Sequence, residues 1–150
     1  MILLVHMLFG AAIGSTIHNV YLAMTLALLG HYFLDFFPHI EYSIKHIRLN
    51  VWKKSLPDMI KVLLDFFLAL LVIYLFSKNQ LIIYGCAFIA LIPDSLTIIS
   101  DMFPNKILAL HDYWHTKKIH YLTKQKNFST LWKILTQIIA IMISLTLLRL

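Results

Sequence analysis

The 150-residue chain is 60% hydrophobic and only 13% charged, against about 45–50% and about 25% in soluble domains, and its mean hydropathy is +0.79. That balance excludes an ordinary soluble enzyme and indicates an integral membrane protein of one domain, residues 1–150. The net charge of +6 with neutral histidines reads as membrane topology and anionic-lipid contact, so no nucleic-acid partner is expected.

The first apolar run, Ile2 to Ile13, is short for a span and is broken by Gly14-Ser15-Thr16 and His18-Asn19. No basic residue precedes it and no A-x-A cleavage site follows, so a retained segment is expected. Gly10 and Gly14 form a small-x-x-x-small pattern that packs a helix within the protein or across a dimer. Val20 to Phe37 follows, stopped by Pro38. Met59 to Phe76 carries one charge, Asp65, and Lys78-Asn79-Gln80 then turns the chain. Leu81 to Ile99 holds the single cysteine, Cys86, and is interrupted by Pro93-Asp94. One cysteine excludes an internal disulfide and a cysteine-built zinc site, and Cys86 reads as a packing residue.

Pro104 to Thr123 mixes Ile107, Leu108, Leu110, Tyr113 and Trp114 with His111, His115, Lys117, Lys118 and His120. It reads as an amphipathic helix at the membrane interface. Trp52, Tyr113, Trp114 and Trp132 suit an interfacial aromatic belt. Phe128 to Leu148 closes the chain. No stretch alternates with strand period, so the expectation is an all-α, integral membrane helical bundle of about five spans plus the interfacial helix.

The basic residues orient such a bundle. Lys45, Arg48, Lys53, Lys54 and Lys61 flank one loop; Lys106, Lys117, Lys118, Lys124, Lys126 and Lys133 flank another. With five alternating spans both loops share one side, leaving Lys78 and Arg149 opposite. The positive-inside rule then puts the N-terminus and both loops in the cytoplasm.

This topology gathers the polar residues into one layer. His31 and Asp35 stand four apart on one helical face, as paired metal ligands do; alone, the pair also reads as a hydrogen bond closing a helix end. His6, His39, Asp65, Asp94, His111, His115 and His120 all fall near the same cytoplasmic ends, within roughly 12 Å at 1.5 Å per residue. Ionisable side chains in a bilayer are costly and mark sites. The expected metal ligands are His6, His31, Asp35, His39, Asp94, His111 and His115. Each has a plainer reading: Asp65 could pair with Lys61 on its own helix, and Asp94 could answer groups freed by Pro93. His/carboxylate sets without thiolate suit zinc first, with manganese or iron as alternatives. Their surplus over the three or four ligands of one zinc suggests more than one ion or an adjacent catalytic carboxylate. Asp94 or Asp65, where it is not a ligand, would serve as general base, and phosphoester cleavage suits such a centre.

Gly30-His31-x-x-x-Asp35-x-x-Pro38, Leu91-Ile92-Pro93-Asp94 and His6-Met7-Leu8-Phe9-Gly10 resemble the bacterial inner-membrane metal-dependent hydrolases, including the LexA-regulated ones. That family looks distantly similar to zinc-dependent phospholipase C and P1 nuclease. The resemblance implies an inner-membrane, multi-pass, metal-dependent hydrolase acting on a phosphoester such as a phospholipid, with His6, His31, Asp35 and Asp94 in the metal site. The chain departs from the pattern at Pro93-Asp94-Ser95-Leu96-Thr97, where the family usually reads Pro-Asp-x-Asp-His. Its His-Arg-Gly-x-Thr-His element has only a loose echo in His111-Asp112-Tyr113-Trp114-His115, and Pro38-His39-Ile40-Glu41 offers replacement ligands. Two other classes stand beside the hydrolase. One is a non-catalytic metal-binding membrane protein; the other is a structural membrane protein whose His–Asp pairs tie helices together.

Overall fold

The computed structural model describes residues 2–49, 51–103, 105–121 and 128–150, and every regular element among them is helical. Lys124, Lys126, Pro104, Thr123 and the Trp52 side chain, all used in the sequence reading, lie outside the described residues.

Helix α1 (Leu3–Thr16) has no cap of its own; instead Asp65 Oδ2 accepts from the Leu4 N–H at 3.1 Å. Asn19 caps α2 (Val20–Asp35) by accepting from Leu22 N at 3.0 Å, and the helix stops short of Pro38, which disfavours helical backbone before it. After the single turn α3 (Lys45–Arg48) comes the long α4 (Trp52–Phe76). Asn79, at φ 54°, makes the left-handed turn that follows, a conformation Asn tolerates better than most residues. The expected interruption near Pro93 is a break between α5 (Leu81–Ile89) and α6 (Ile92–Met102), bent by 42°. Asn105 caps α7 (Lys106–Tyr113), which runs into a π-helical stretch, Trp114–Ile119. Ser129 caps α8 (Thr130–Arg149).

The expectation of five spans is not met. Two helices are long and apolar enough to cross a membrane, Lys53–Phe76 and Thr130–Arg149, or three if the bent α5–α6 pair makes one span. The reason is length: α1 and α2 have 14 and 16 residues, roughly 21 and 24 Å at 1.5 Å per residue, against a hydrocarbon core of about 30 Å. On α4 and α8, Leu64, Phe67, Leu71, Leu75, Leu131, Ile138 and Met142 face outward.

Helix α1 is instead the core. It packs on α2, α4, α5 and α8, and Leu4 to Leu8, Gly10 to Ala12 and Gly14 are buried. A helix apolar all round belongs inside. The Gly10/Gly14 stripe is used within the chain: a Cβ at Gly10 would lie 2.6 Å from the Cys86 carbonyl oxygen, and one at Gly14 2.9 Å from that of Ile82. Backbones this close let α5 lean on α1, with buried Cys86 filling the seam as a packing residue.

This order brings the N-terminal end of α1, the middle of α4 and the N-terminal half of α8 together with the C-terminal end of α2 and the α5–α6 break. The loop after α2 is tied down there, Thr136 Oγ1 donating to the Pro38 carbonyl and Gln137 Nε2 to that of Ile40 at 2.8 Å. At the other end Lys78 Nζ donates to the Leu150 carbonyl at 2.6 Å.

Candidate metal centre

Asp35, fully buried at the last turn of α2, is the hub. Its Oδ2 lies 3.0 Å from His31 Nε2 and 3.1 Å from both His115 Nε2 and His120 Nε2. Its Oδ1 lies 3.1 Å from His6 Nε2 and 3.7 Å from His39 Nε2. Asp94 Oδ1, partly exposed, stands 3.6 Å from His31 Nε2 and 3.9 Å from His115 Nε2.

The far side of each ring decides what faces Asp35. A carbonyl oxygen can only accept, so His31 Nδ1 donates to the Ala90 carbonyl at 2.7 Å, and His39 Nδ1 to the Phe37 carbonyl at 2.7 Å. The Thr97 hydroxyl spends its proton on the Pro93 carbonyl, so its oxygen accepts from His115 Nδ1 at 3.0 Å. His120 Nδ1 meets Glu41 Oε1 at 2.9 Å. With Nδ1 of His31, His39 and His115 donating, a neutral ring at any of the three would turn its Nε2 lone pair toward a carboxylate, which repels it. His31 and His115 even set Nε2 against Nε2 at 3.1 Å. Such a set is satisfied by cations at its centre, and an orienting acceptor behind each ligand histidine is the arrangement metal sites use. Ligand atoms about 2.0–2.2 Å from a shared ion stand roughly 2.8–3.6 Å apart, the range of most of these distances.

Two groups of described residues could hold a metal ion: His31, Asp35, Asp94 and His115, and Asp35, His39 and His120. His6 joins neither, yet both its ring nitrogens are buried without a hydrogen-bond partner, and its ring stacks on His31 at 4.0 Å. Burial disfavours the charged form of His120, but its hydrogen bonds to Asp35 and Glu41 outweigh that and hold its pKa up at about 9. Partial burial opposes ionisation of Glu41, and the contact with His120 outweighs it, keeping that carboxyl below its usual range.

Comparison of the chain with protein-family models, curated proteins and solved structures gave no match. The site therefore stands on its own geometry. Of the seven expected ligands, His31, Asp35, His39, Asp94 and His115 fall in the two groups and His6 borders them. His111 does not join: its Nε2 meets the Tyr32 hydroxyl at 3.0 Å, although its ring stacks 5.5 Å from that of His115. Asp65 lies apart, holding the α1 N-terminus and the Tyr42 hydroxyl at 3.3 Å. The Lys61 suggested for it sits 3.5 Å from Asp58.

The sequence reading left His120 out of the ligand set and gave Thr97 no role. His120 reaches the cluster because the stretch before it is π-helical, its N–H bonding to the His115 carbonyl at 3.2 Å. The i→i+5 turn brings residues five apart to one face, where α-helical spacing separates them; such turns recur at functional sites. Thr97 stands where the resembling family carries histidine, and it orients His115 instead of adding a ligand.

Beside the cluster lies a cavity of about 150 Å³. Glu41, Asp94, His115 and His120 form one side; Leu3, Val62 and Ile98 form apolar walls. Arg48, held by Asp101 Oδ2 at 2.7 Å and near Asp112 Oδ1 at 3.6 Å, also lines it.

Proposed function

We propose that the protein is a membrane-embedded, metal-dependent hydrolase that cleaves a phosphoester, with zinc as the first candidate metal. The observation that carries the metal reading is the convergence of imidazole Nε2 atoms on Asp35 while their Nδ1 atoms are bound elsewhere. The cavity supports catalysis over storage, because it gives a small substrate access to Asp94, His115 and His120.

Bound divalent ions would activate water and stabilise charge on phosphoryl oxygens. Asp94, the most exposed member of the His31–Asp35 group, is placed to accept the proton of attacking water. Arg48 faces the same cavity with a fixed guanidinium, suited to a phosphate oxygen, and the apolar walls suit the carbon chain of a lipid phosphate. The basic residues at this end, Lys45, Lys53, Lys106, Lys117 and Lys133 among them, favour anionic headgroups. We place that end at the cytoplasmic face of the inner membrane.

The test is phosphate release by detergent-purified protein reconstituted with Zn²⁺ or Mn²⁺, offered p-nitrophenyl phosphate and phosphatidic acid in mixed micelles. Asp94→Asn should lower turnover by about 10²–10⁴-fold with metal still bound. Metal-loaded protein that releases neither phosphate from these monoesters nor the alcohol leaving group from a panel of phosphodiesters overturns the reading.

A further inference from the structure

We infer that the phosphate of a bilayer lipid enters the cavity sideways, between α4 and α6 and beneath α3, while the lipid's acyl chains stay in the membrane. The inference rests on the hydrolase reading of the same site and adds the route by which substrate arrives and the class that can use it.

The route follows from how the helices pack. Helix α4 packs on α1, α3 and α8, and α6 packs on α2, α3 and α7, so the short α3 is set against both. The cavity lies between them: Val62 lines it from α4, Asp94, Thr97 and Ile98 from α6, and Ile44 and Arg48 from the two ends of α3. One turn along α4 from Val62, the Phe66 ring meets Phe88 of α5 at 5.9 Å and fills the seam. The 42° bend between α5 and α6 follows directly, and the cavity begins beyond it.

Depth decides which substrates can use this opening. Val62 lies roughly 21 Å from Phe76 at 1.5 Å per residue. A span ending at the far edge of a hydrocarbon core about 30 Å thick therefore holds Val62 inside the near edge. Its neighbours Met59, Ile60, Leu63 and Leu64 face outward, and exposed Phe88 continues that apolar surface below the opening. Half-exposed Lys61 reaches up to the headgroups along its own stem. A soluble phosphoester does not meet an opening at that depth, whereas a lipid carries its phosphate immediately above its acyl chains.

Charge makes entry conditional on metal. Glu41 and Asp94 border the cavity, and Arg48 shares its charge with Asp101 at 2.7 Å and Asp112 at 3.6 Å. An anionic headgroup therefore gains from entering once a divalent cation is held there, and an uncharged lipid does not.

The experiment compares phosphate release from phosphatidic acid in mixed micelles with release from glycerol 3-phosphate, using metal-loaded full-length protein. The lipid should have the higher kcat/KM by about 100-fold, since binding of the remote chains assists the reacting end. Val62→Trp should lower that preference by about tenfold or more, and Leu71→Trp, on the outward face of the same helix, should leave it unchanged. Equal kcat/KM for the two substrates, or an unaltered preference in Val62→Trp, overturns the lateral route and leaves the hydrolase standing. A second arm does not need turnover: a phosphonate analogue of phosphatidic acid carries a diazirine in its acyl chain, and its adducts are mapped by mass spectrometry. Adducts around Val62 and Ile98 that excess phosphatidic acid displaces are expected. Seen in a protein that hydrolyses neither substrate, they would uphold the route while the hydrolase reading falls. Adducts spread over the outward faces of α4 and α8 and not displaced overturn the route, and this map decides alone if Val62→Trp fails to fold.

Discussion

Thr97→Val isolates the orienting role of one hydroxyl. The two side chains are nearly equal in shape, so the change removes the acceptor 3.0 Å from His115 Nδ1 together with the hydroxyl's bond to the Pro93 carbonyl. Thr97 and His115 are both buried, which leaves two outcomes for the ring. It can keep its proton on Nδ1 and leave a buried N–H unpaired, at about 1–3 kcal/mol. Otherwise the proton moves to Nε2, and His115 ceases to be a ligand. Either route weakens the ion held with His31 and Asp35. Losing the partner behind a ligand histidine typically lowers metal affinity about 10–100-fold, or roughly 1.4–2.8 kcal/mol at 1.4 kcal/mol per tenfold. Competition between the protein and a fluorescent zinc chelator reads this directly. Thr97→Ser keeps the oxygen and should bind within about twofold of wild type, because the hydroxyl oxygen alone orients the ring. Wild-type affinity in Thr97→Val would refute the claim that Thr97 sets the tautomer of a ligand.

Gly10→Leu should destabilise the fold by at least the roughly 1–3 kcal/mol typical of overpacking, because its Cβ meets backbone, the Cys86 carbonyl at 2.6 Å; thermal unfolding in detergent reads this, and an unchanged midpoint contradicts the α1–α5 contact. Asp65→Leu should cost about 0.5–2 kcal/mol, the range for losing a helix cap, whereas Asp65→Asn keeps an acceptor for Leu4 N; denaturation curves and metal content together test whether Asp65 acts only by holding α1. Metal affinity should rise with pH and level off above about 9. An arriving ion displaces the proton that Asp35 and Glu41 hold on His120 up to about 9, and isothermal titration at several pH values should show proton release falling as that pH is approached. For the metal-free fold the sign is opposite: the raised pKa stabilises most below the unfolded value of about 6.5 and is lost as pH rises through about 9.

The site was more legible than the bundle around it. Ionisable residues inside apolar runs are rare enough to reveal a shared depth, and His31 and Asp35 at helical spacing gave the first pair. His39 and Asp94 followed because proline marks where each helix end meets that layer. His120 was read into the shared layer but not into the ligand set, because only a π-helical turn brings it to one face with His115. Thr97 was hidden because a hydroxyl beside a histidine leaves no mark in sequence. Asp65 misled, since a carboxylate within an apolar helix looks the same whether it serves chemistry or caps a neighbouring helix. The number of spans failed on length: α1 and α2 have the composition of spans, but hydropathy does not separate a short core helix from a crossing one.

The central claim, that the buried histidines around Asp35 are metal ligands, is tested most directly by the metal content of the purified full-length protein. Plasma mass spectrometry of wild type beside Asp35→Asn, after incubation with zinc or manganese and desalting, gives the answer, with circular dichroism confirming that both remain helical. The account predicts at least one equivalent in the wild type and its loss in the folded variant. No bound metal in the wild type, or equal metal in both, would contradict it.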